Sequence, residues 1–330
     1  MTNTVFYKAK KPVISIPLDG SLSVALSAVS CLPSHTLIRK LFKLYLYISI
    51  VFQYYFTHKP PSNDSLEPVL RKWIEEIPSK ISKERLFPVF IWSLVDGRQR
   101  YYVHLLDYNG DKKFFGKITV KRDDYALLNN EKRKLSKFSN ANTFKVPTVI
   151  LYEENDDYCS LVTSYLSVTY SLYHPDSHDF PDPIFQEITQ EHHNISYKEI
   201  QALSWWQETD NLLKNSLFYD FLHDVDLMNS YTVSTIHGDF GSENIFINNT
   251  SNFYIIDWER STDTAPYQTD MVAFWLGKRH VLIKNNPTAA YKEFKKHFAN
   301  YNEIDIALAL VFLVSVNFDL AIKIIEEWDK

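Results

Sequence analysis

The sequence predicts an α+β chain in two lobes, the first a five-stranded antiparallel sheet with one helix, the second mainly helical. Three observations carry this. The 330 residues, 45% of them hydrophobic, can bury one large core or two, and the length favours two. From Phe87 the apolar pattern has the period of strands, and beyond Tyr165 it has the period of helices. One short strand-rich insertion, Ser234 to Arg260, interrupts the helical half and concentrates the polar residues suited to chemistry.

Residues 1–86 read as an N-terminal extension that packs on or precedes the first lobe. Pro12–Leu18 is extended and apolar, and Lys59–Ser65 is a polar, proline-containing loop. Leu66, Val69, Leu70, Trp73, Ile74 and Ile77 recur at the spacing of an amphipathic helix, which Pro78 is expected to end. Residues 87–165 supply the strands Pro88–Leu94, Tyr101–Asp107, Lys113–Val120, Val146–Tyr152 and Tyr158–Val162, with a helix over Asp123–Phe138. Asn109-Gly110 between two such runs predicts a type I′ hairpin, which needs positive φ at both central residues. Residues 166–330 form the helical lobe, with helices expected through Ser204–Trp206, Leu212–Leu222, Met271–Ile283 and Ile304–Trp328.

The net charge of −5 and pI near 6.1 provide no basic field for nucleic acid. Cys31 and Cys159 are too few for a disulfide framework, which fits a reducing compartment, and no apolar run follows the basic N-terminus as a secretory leader would require. A cytoplasmic protein is expected. Leu41–Phe56 is strongly apolar yet shorter than a spanning helix and contains Lys43 and Gln53. It reads either as a buried helix or strand, or as a helix lying on a membrane surface with Arg39, Lys40 and Lys43 at the headgroups.

The stretch His237-Gly238-Asp239, then Asn244, then an apolar strand ending in Asp257-Trp258-Glu259, holds the residue types that phosphoryl transfer needs. Such a reaction asks a protein for positioning of a hydroxyl and neutralisation of phosphate charge. Asp239 would orient the acceptor hydroxyl and take its proton, while Asn244 and Asp257 would offer hard oxygens to Mg²⁺. Glu259 would contact metal or acceptor, or solvent. His192-His193 has no further ligand spacing around it and reads as surface.

This run resembles the aminoglycoside phosphotransferase and choline kinase branch of the protein-kinase-like fold. Gly238 and Trp258-Glu259 stand where typical eukaryotic protein kinases have Arg and Phe-Gly, which favours the small-molecule branch. The resemblance implies Mg²⁺ and ATP, with Lys117 on the third strand contacting phosphates and pairing with Glu131 on the following helix. It implies a phosphate-covering loop at Val95–Arg100, including Gly97, Arg98 and Arg100, and adenine contacts near Thr163, Ser164 and Tyr165. It also implies that Asp270 braces the catalytic loop and that His237 supports it.

The acceptor pocket of that family forms between the catalytic loop and the helices of the second half, where Trp205, Trp206, Trp258, Tyr267 and Trp275 are available. A sugar or glycan hydroxyl is the expected acceptor. Choline or ethanolamine, an aminoglycoside, and a nucleotide-binding scaffold without turnover are the alternatives.

Overall fold

The computed structural model describes residues 3–8, 11–33, 37–52, 54–55, 66–93, 99–166, 169–173, 179–213, 230–241, 243–316, 318–328 and 330. In chain order its elements are β1 (Asn3–Lys8), β2 (Lys11–Pro17), α1 (Leu22–Ser30), α2 (Leu37–Phe52), α3 (Pro68–Ile81), β3 (Phe87–Trp92), β4 (Arg100–Leu106) and β5 (Lys112–Thr119). Next come α4 (Tyr125–Lys137), β6 (Phe144–Lys145), β7 (Val149–Glu154), β8 (Cys159–Ser164), β9 (Tyr170–Leu172), α5 (Asp182–Ile188), β10 (His192–Ser196), α6 (Tyr197–Gln201) and α7 (Ser204–Leu213). The rest are β11 (Ser230–Ile236), β12 (Ile245–Asn248), β13 (Phe253–Ile255), β14 (Thr262–Pro266), α8 (Thr269–Lys278), α9 (His280–Asn285), α10 (Pro287–His297), α11 (Glu303–Ser315) and α12 (Asp319–Trp328). The chain divides into two compact units, Met1–Ser136 with Pro147–Ser167, and Lys137–Val146 with Val168–Lys330.

The first unit is built on an antiparallel sheet of seven strands in the order β1-β2-β3-β4-β5-β8-β7. Five of these are the expected strands. The other two come from the N-terminal extension: β2 pairs with β3 through Ile14↔Ile91 and Ser15↔Phe90, so the extension continues the sheet. Its strand β1 and helix α1 left little trace in the pattern of polar and apolar residues. The helix is carried by Val24, Ala25, Ala28 and Val29, all buried, and is capped by Ser21, whose side chain accepts from the Val24 N–H.

Two local expectations needed correction. Helix α3 does not stop at Pro78 but continues to Ile81, with Pro78 buried beside Trp73 and Ile77. A proline in the last turn removes a single hydrogen bond, and packing of that face outweighs it. The β4–β5 connection is also not a type I′ turn, because Gly110 has φ +88° whereas Asn109 is not in the left-handed region. The loop is closed instead by Asp107, whose Oδ1 accepts the N–H groups of Asn109 and Asp111, while Gly110 N–H donates to the Asp107 carbonyl.

That loop is the dock for α1. Ser21 Oγ donates to the Tyr108 carbonyl at 3.1 Å and Ser23 Oγ to the Asn109 carbonyl at 2.7 Å. A Cβ on Gly110 would lie 2.6 Å from Ser27 Oγ and 3.0 Å from the Ser23 carbonyl.

The second unit holds a three-stranded sheet, β10-β11-β14, and a four-stranded one, β6-β13-β12-β9, beside its helices. It therefore contains more strand than expected. Met271–Ile283 is two helices broken at Arg279, and Ile304–Trp328 is two helices, α11 and α12. The end of α11 is marked by Ser315, whose Oγ bonds back to the Phe312 carbonyl at 2.6 Å. Helix α11 is apolar nearly all round and forms the centre of this unit's core. The expected helix Leu212–Leu222 is described only as far as Leu213. Cys31 and Cys159 are buried free thiols, both pushed up to about 11 by burial.

Gly110→Ala combines a left-handed backbone cost with a clash against α1, and is expected to destabilise the protein by about 1–2 kcal/mol in urea unfolding. Adding Ser27→Ala should return part of that loss.

Candidate active site

The second unit's site begins where β11 ends. His237, Gly238 and Asp239 follow Ile236 directly, and two buried hydrogen bonds fix their backbone. Asp270, in the first turn of α8, accepts the His237 N–H at 2.7 Å through Oδ2 and the Gly238 N–H at 3.0 Å through Oδ1. Its carboxyl is raised above the ordinary aspartate range by burial, opposed by His237 and by these two N–H bonds. Gly238 has φ +82°, and a Cβ there would sit 2.3 Å from the Arg260 carbonyl oxygen. No other residue fits that position.

His237 is fully buried and ties the Asp239 backbone to that of Ile256. Its Nδ1 accepts the Asp239 N–H at 3.3 Å and its Nε2 lies 2.9 Å from the Ile256 carbonyl. With Nδ1 accepting, Nε2 is the nitrogen placed to donate to that carbonyl. Trp258, also fully buried, packs edge-on against the imidazole at 4.6 Å and stacks with Phe138 at 4.7 Å.

Strands β12 and β13 bring Asn244 and Asp257 to one end of the hairpin. Ile245 pairs with Ile255, and the Ile256 N–H donates to the Asn244 carbonyl at 3.1 Å, so the residues just outside the pair are neighbours. Asn244 Nδ2 donates to the Asp239 carbonyl at 2.8 Å, leaving Oδ1 as the acceptor end of the amide. Asp257 is left-handed, at φ 65° and ψ 56°, an uncommon conformation that Asp tolerates better than most residues. It turns the chain out of β13 into the short turn that buries Trp258 and Glu259. Carboxylate oxygens of Asp257 and Glu259 lie within 4.8 Å of one another. Two carboxylates this close offer hard oxygens of the kind a divalent cation takes.

The Asp239 carboxyl is raised by burial, first of all; Arg260 pulls it down, and Asp257 and Glu243 push it up. It opens on a cavity of about 510 Å³ lined by Gly238 to Gly241 and Glu243, by Ala273, Phe274, Gly277 and Lys278 of α8, by His280, and by Leu313, Phe318 and Leu320. None of the tryptophans available to an acceptor pocket lines this cavity. Trp205, Trp206, Trp258 and Trp275 are buried, the first two and the last in the helical core, because each has more apolar area than an open pocket could shield. Phenylalanines take their place at the cavity.

In the first unit, Lys117 on β5 and Glu131 on α4 are joined, with Lys117 Nζ 2.8 and 3.0 Å from the two carboxylate oxygens. Both side chains are nearly fully buried, at 8% and 5% exposure. Burying such a pair costs about as much as its attraction returns, so it gives little stability and much orientation. Gly116 beside it sits against Val103, where a Cβ would approach Cγ1 to 2.7 Å. Arg100 is buried, 3.7 Å from Asp124, rather than presented to solvent. Gly97 and Arg98 lie outside the described residues. The backbone N–H groups of Ser164 and Tyr165 are already given to the carbonyls of Thr148 and Lys113. The Ser164 side chain is engaged as well, its Oγ accepting the Thr148 N–H at 2.9 Å. Arg260, Glu243 and the cavity-lining residues were missed in the sequence. The helix face that carries Asp270 continues through Ala273, Phe274 and Gly277, and that spacing was the available signal.

Asp270→Asn keeps one acceptor but sets an amide N–H₂ against a buried backbone N–H. A loss of about 1–3 kcal/mol in thermal or urea unfolding is expected.

The sequence matches no protein-family model and no curated protein. Among solved structures, the chain is similar to the GDP complex of wild-type aminoglycoside 2'-phosphotransferase-IIIa (15% identity, TM-score 0.48, 79% of this chain and 98% of that one). It is also similar to macrolide 2'-phosphotransferase type I (13% identity, TM-score 0.46, 78% and 96%). A third is the aminoglycoside phosphotransferase APH(3'')-Id from Streptomyces rimosus ATCC10970 (13% identity, TM-score 0.43, 76% and 99%).

Proposed function

We propose that this protein transfers the γ-phosphoryl group of ATP to a hydroxyl of a small molecule, a sugar or glycan being the favoured acceptor. The observation that carries the reading is a partly buried carboxylate, Asp239, which faces a 510 Å³ cavity and shares its hairpin with Asn244 and Asp257. An acceptor bound in the cavity presents its hydroxyl to Asp239, which orients it and takes its proton as the oxygen attacks phosphorus. The bond from that phosphorus to the bridging oxygen breaks, and ADP leaves.

Bound Mg²⁺ would neutralise phosphate charge, held by Asn244 Oδ1 and Asp257, with Glu259 beside them. Lys117, oriented by Glu131, would meet the α and β phosphates. His237 and Asp270 hold the loop backbone, so that Asp239 need not reorganise during the reaction. Support for an acceptor with an apolar face comes from Phe274, Leu313, Phe318 and Leu320, which line the cavity together with Asp239. A sugar carries such a face in its C–H groups. Few carboxylates line the cavity, which argues against a polycationic aminoglycoside.

An ATP-consumption screen over sugars, glycan extracts, amino alcohols and aminoglycosides, with phosphorus NMR of the product, tests the assignment. Asp239→Asn should lower turnover by roughly 10²- to 10⁴-fold with nucleotide affinity kept. Asp257→Gly removes the ligand yet suits the left-handed backbone, so the variant should be at least as stable as wild type while Mg-ATP affinity falls roughly tenfold or more. Equal turnover by wild type and Asp239→Asn would remove the assignment.

The acid limb of kcat/KM should follow Asp239. Activity requires the carboxylate, so it is gained as pH rises through a pKa raised above the ordinary aspartate value. Arg260 lowers that pKa, so Arg260→Met should move the limb to higher pH; Glu243 raises it, so Glu243→Gln should move the limb to lower pH.

A further inference from the structure

Helix α2 is apolar on two opposite faces. Leu46 and Ile50 are fully buried against Val24, Ala28 and Val29 of α1, and that contact explains one of them. The other face carries Leu37, Leu41, Leu44, Tyr45, Ile48 and Phe52, each more than half exposed. Their spacing of three and four residues makes one continuous stripe along the helix. Tyr54 and Tyr55, just beyond it, are exposed as well.

Charge and length identify what covers this stripe. From Gly20 to Asn63 the sequence contains no Asp or Glu, although the whole chain has 40 acidic residues against 35 basic. The same stretch contains Arg39, Lys40, Lys43 and Lys59. Lys40 is exposed beside the stripe. Lys43 is half-buried and donates to the carbonyls of Ser30, the last residue of α1, and of Leu32, at 3.2 Å each. A second copy docked through the same face would set Lys40 against Lys40, since the stretch itself carries no acid. An anionic lipid surface supplies the opposite charge.

The helix has 16 residues, roughly 24 Å at 1.5 Å per residue, which is short of a bilayer's hydrocarbon thickness. Among the described residues no helix is long and apolar enough to cross a membrane. Leu46 and Ile50 hold the helix along the first unit's core, so its exposed side can enter only lengthwise. Tyrosines suit the depth between headgroups and acyl chains.

We infer that the exposed face of α2 is a peripheral membrane-binding surface, selective for anionic lipid, with the helix lying in the plane of the interface. This goes beyond the phosphotransfer reading and does not depend on it.

Flotation of the full chain with vesicles tests the inference, using phosphatidylcholine alone and phosphatidylcholine with 30% phosphatidylserine, at low and high salt. Binding to the phosphatidylserine vesicles, weakened by salt and at least several-fold weaker without the anionic lipid, is expected. Leu41→Glu with Ile48→Glu changes only exposed side chains, so it should keep the wild-type melting temperature and lose flotation. Lys40→Glu should weaken binding about fivefold or more. Absence of flotation by the wild type overturns the inference, as does equal flotation by the double variant. A concentration-dependent dimer that the double variant dissolves, without vesicle binding, would overturn it in favour of a second copy.

Discussion

Two N–H groups pointing at one buried carboxylate decide the shape of the candidate active site. Asp270 is 1% exposed, and burying it ionised is costly unless strong donors meet it. His237 and Gly238 supply those donors from the backbone. Everything downstream inherits that position. Gly238 is pressed on the Arg260 carbonyl, His237 is aimed at Asp239 and Ile256, and Asn244 is tied to the Asp239 carbonyl. The side chain that faces the cavity is positioned through its backbone, with Asn244 bonding the carboxylate as well.

The unit that carries Lys117 solves a similar problem with an ion pair. Lys117 and Glu131 are both nearly dry, and neither would stay charged there alone. Asp257 adds a left-handed backbone that β13 does not require for its own pairing. Buried charge and an uncommon backbone angle are unfavourable features for a purely structural protein. They are ordinary in a protein that must present charge in a fixed direction.

Much of this could be read from the chain because local signals agreed with tertiary demands. Strands β3, β4, β5, β7 and β8 have the period and turn residues of a meander, and Lys117 and Glu131 fell on the elements that join them. Pro78 misled because a buried turn tolerated it, and Asn109-Gly110 misled because Asp107 offered a different closure. Helix α1 was hidden by its serines and alanines, which pack well without giving a strong pattern. The approach of Gly238 to Arg260 spans 22 positions and leaves no periodic trace. The exposed tyrosines and leucines of α2 look, in sequence, the same as a core helix.

Gly277 lies on the cavity side of α8, and a Cβ there would meet nothing within 4 Å. Glycine weakens a helix interior, so its presence costs the fold something and leaves space in return. The depth of the cavity is therefore set at a position that can change size without repacking the core. On the proposed phosphotransfer reading, a side chain at position 277 would change which acceptor the cavity admits while Asp239, Asn244 and Asp257 keep their places.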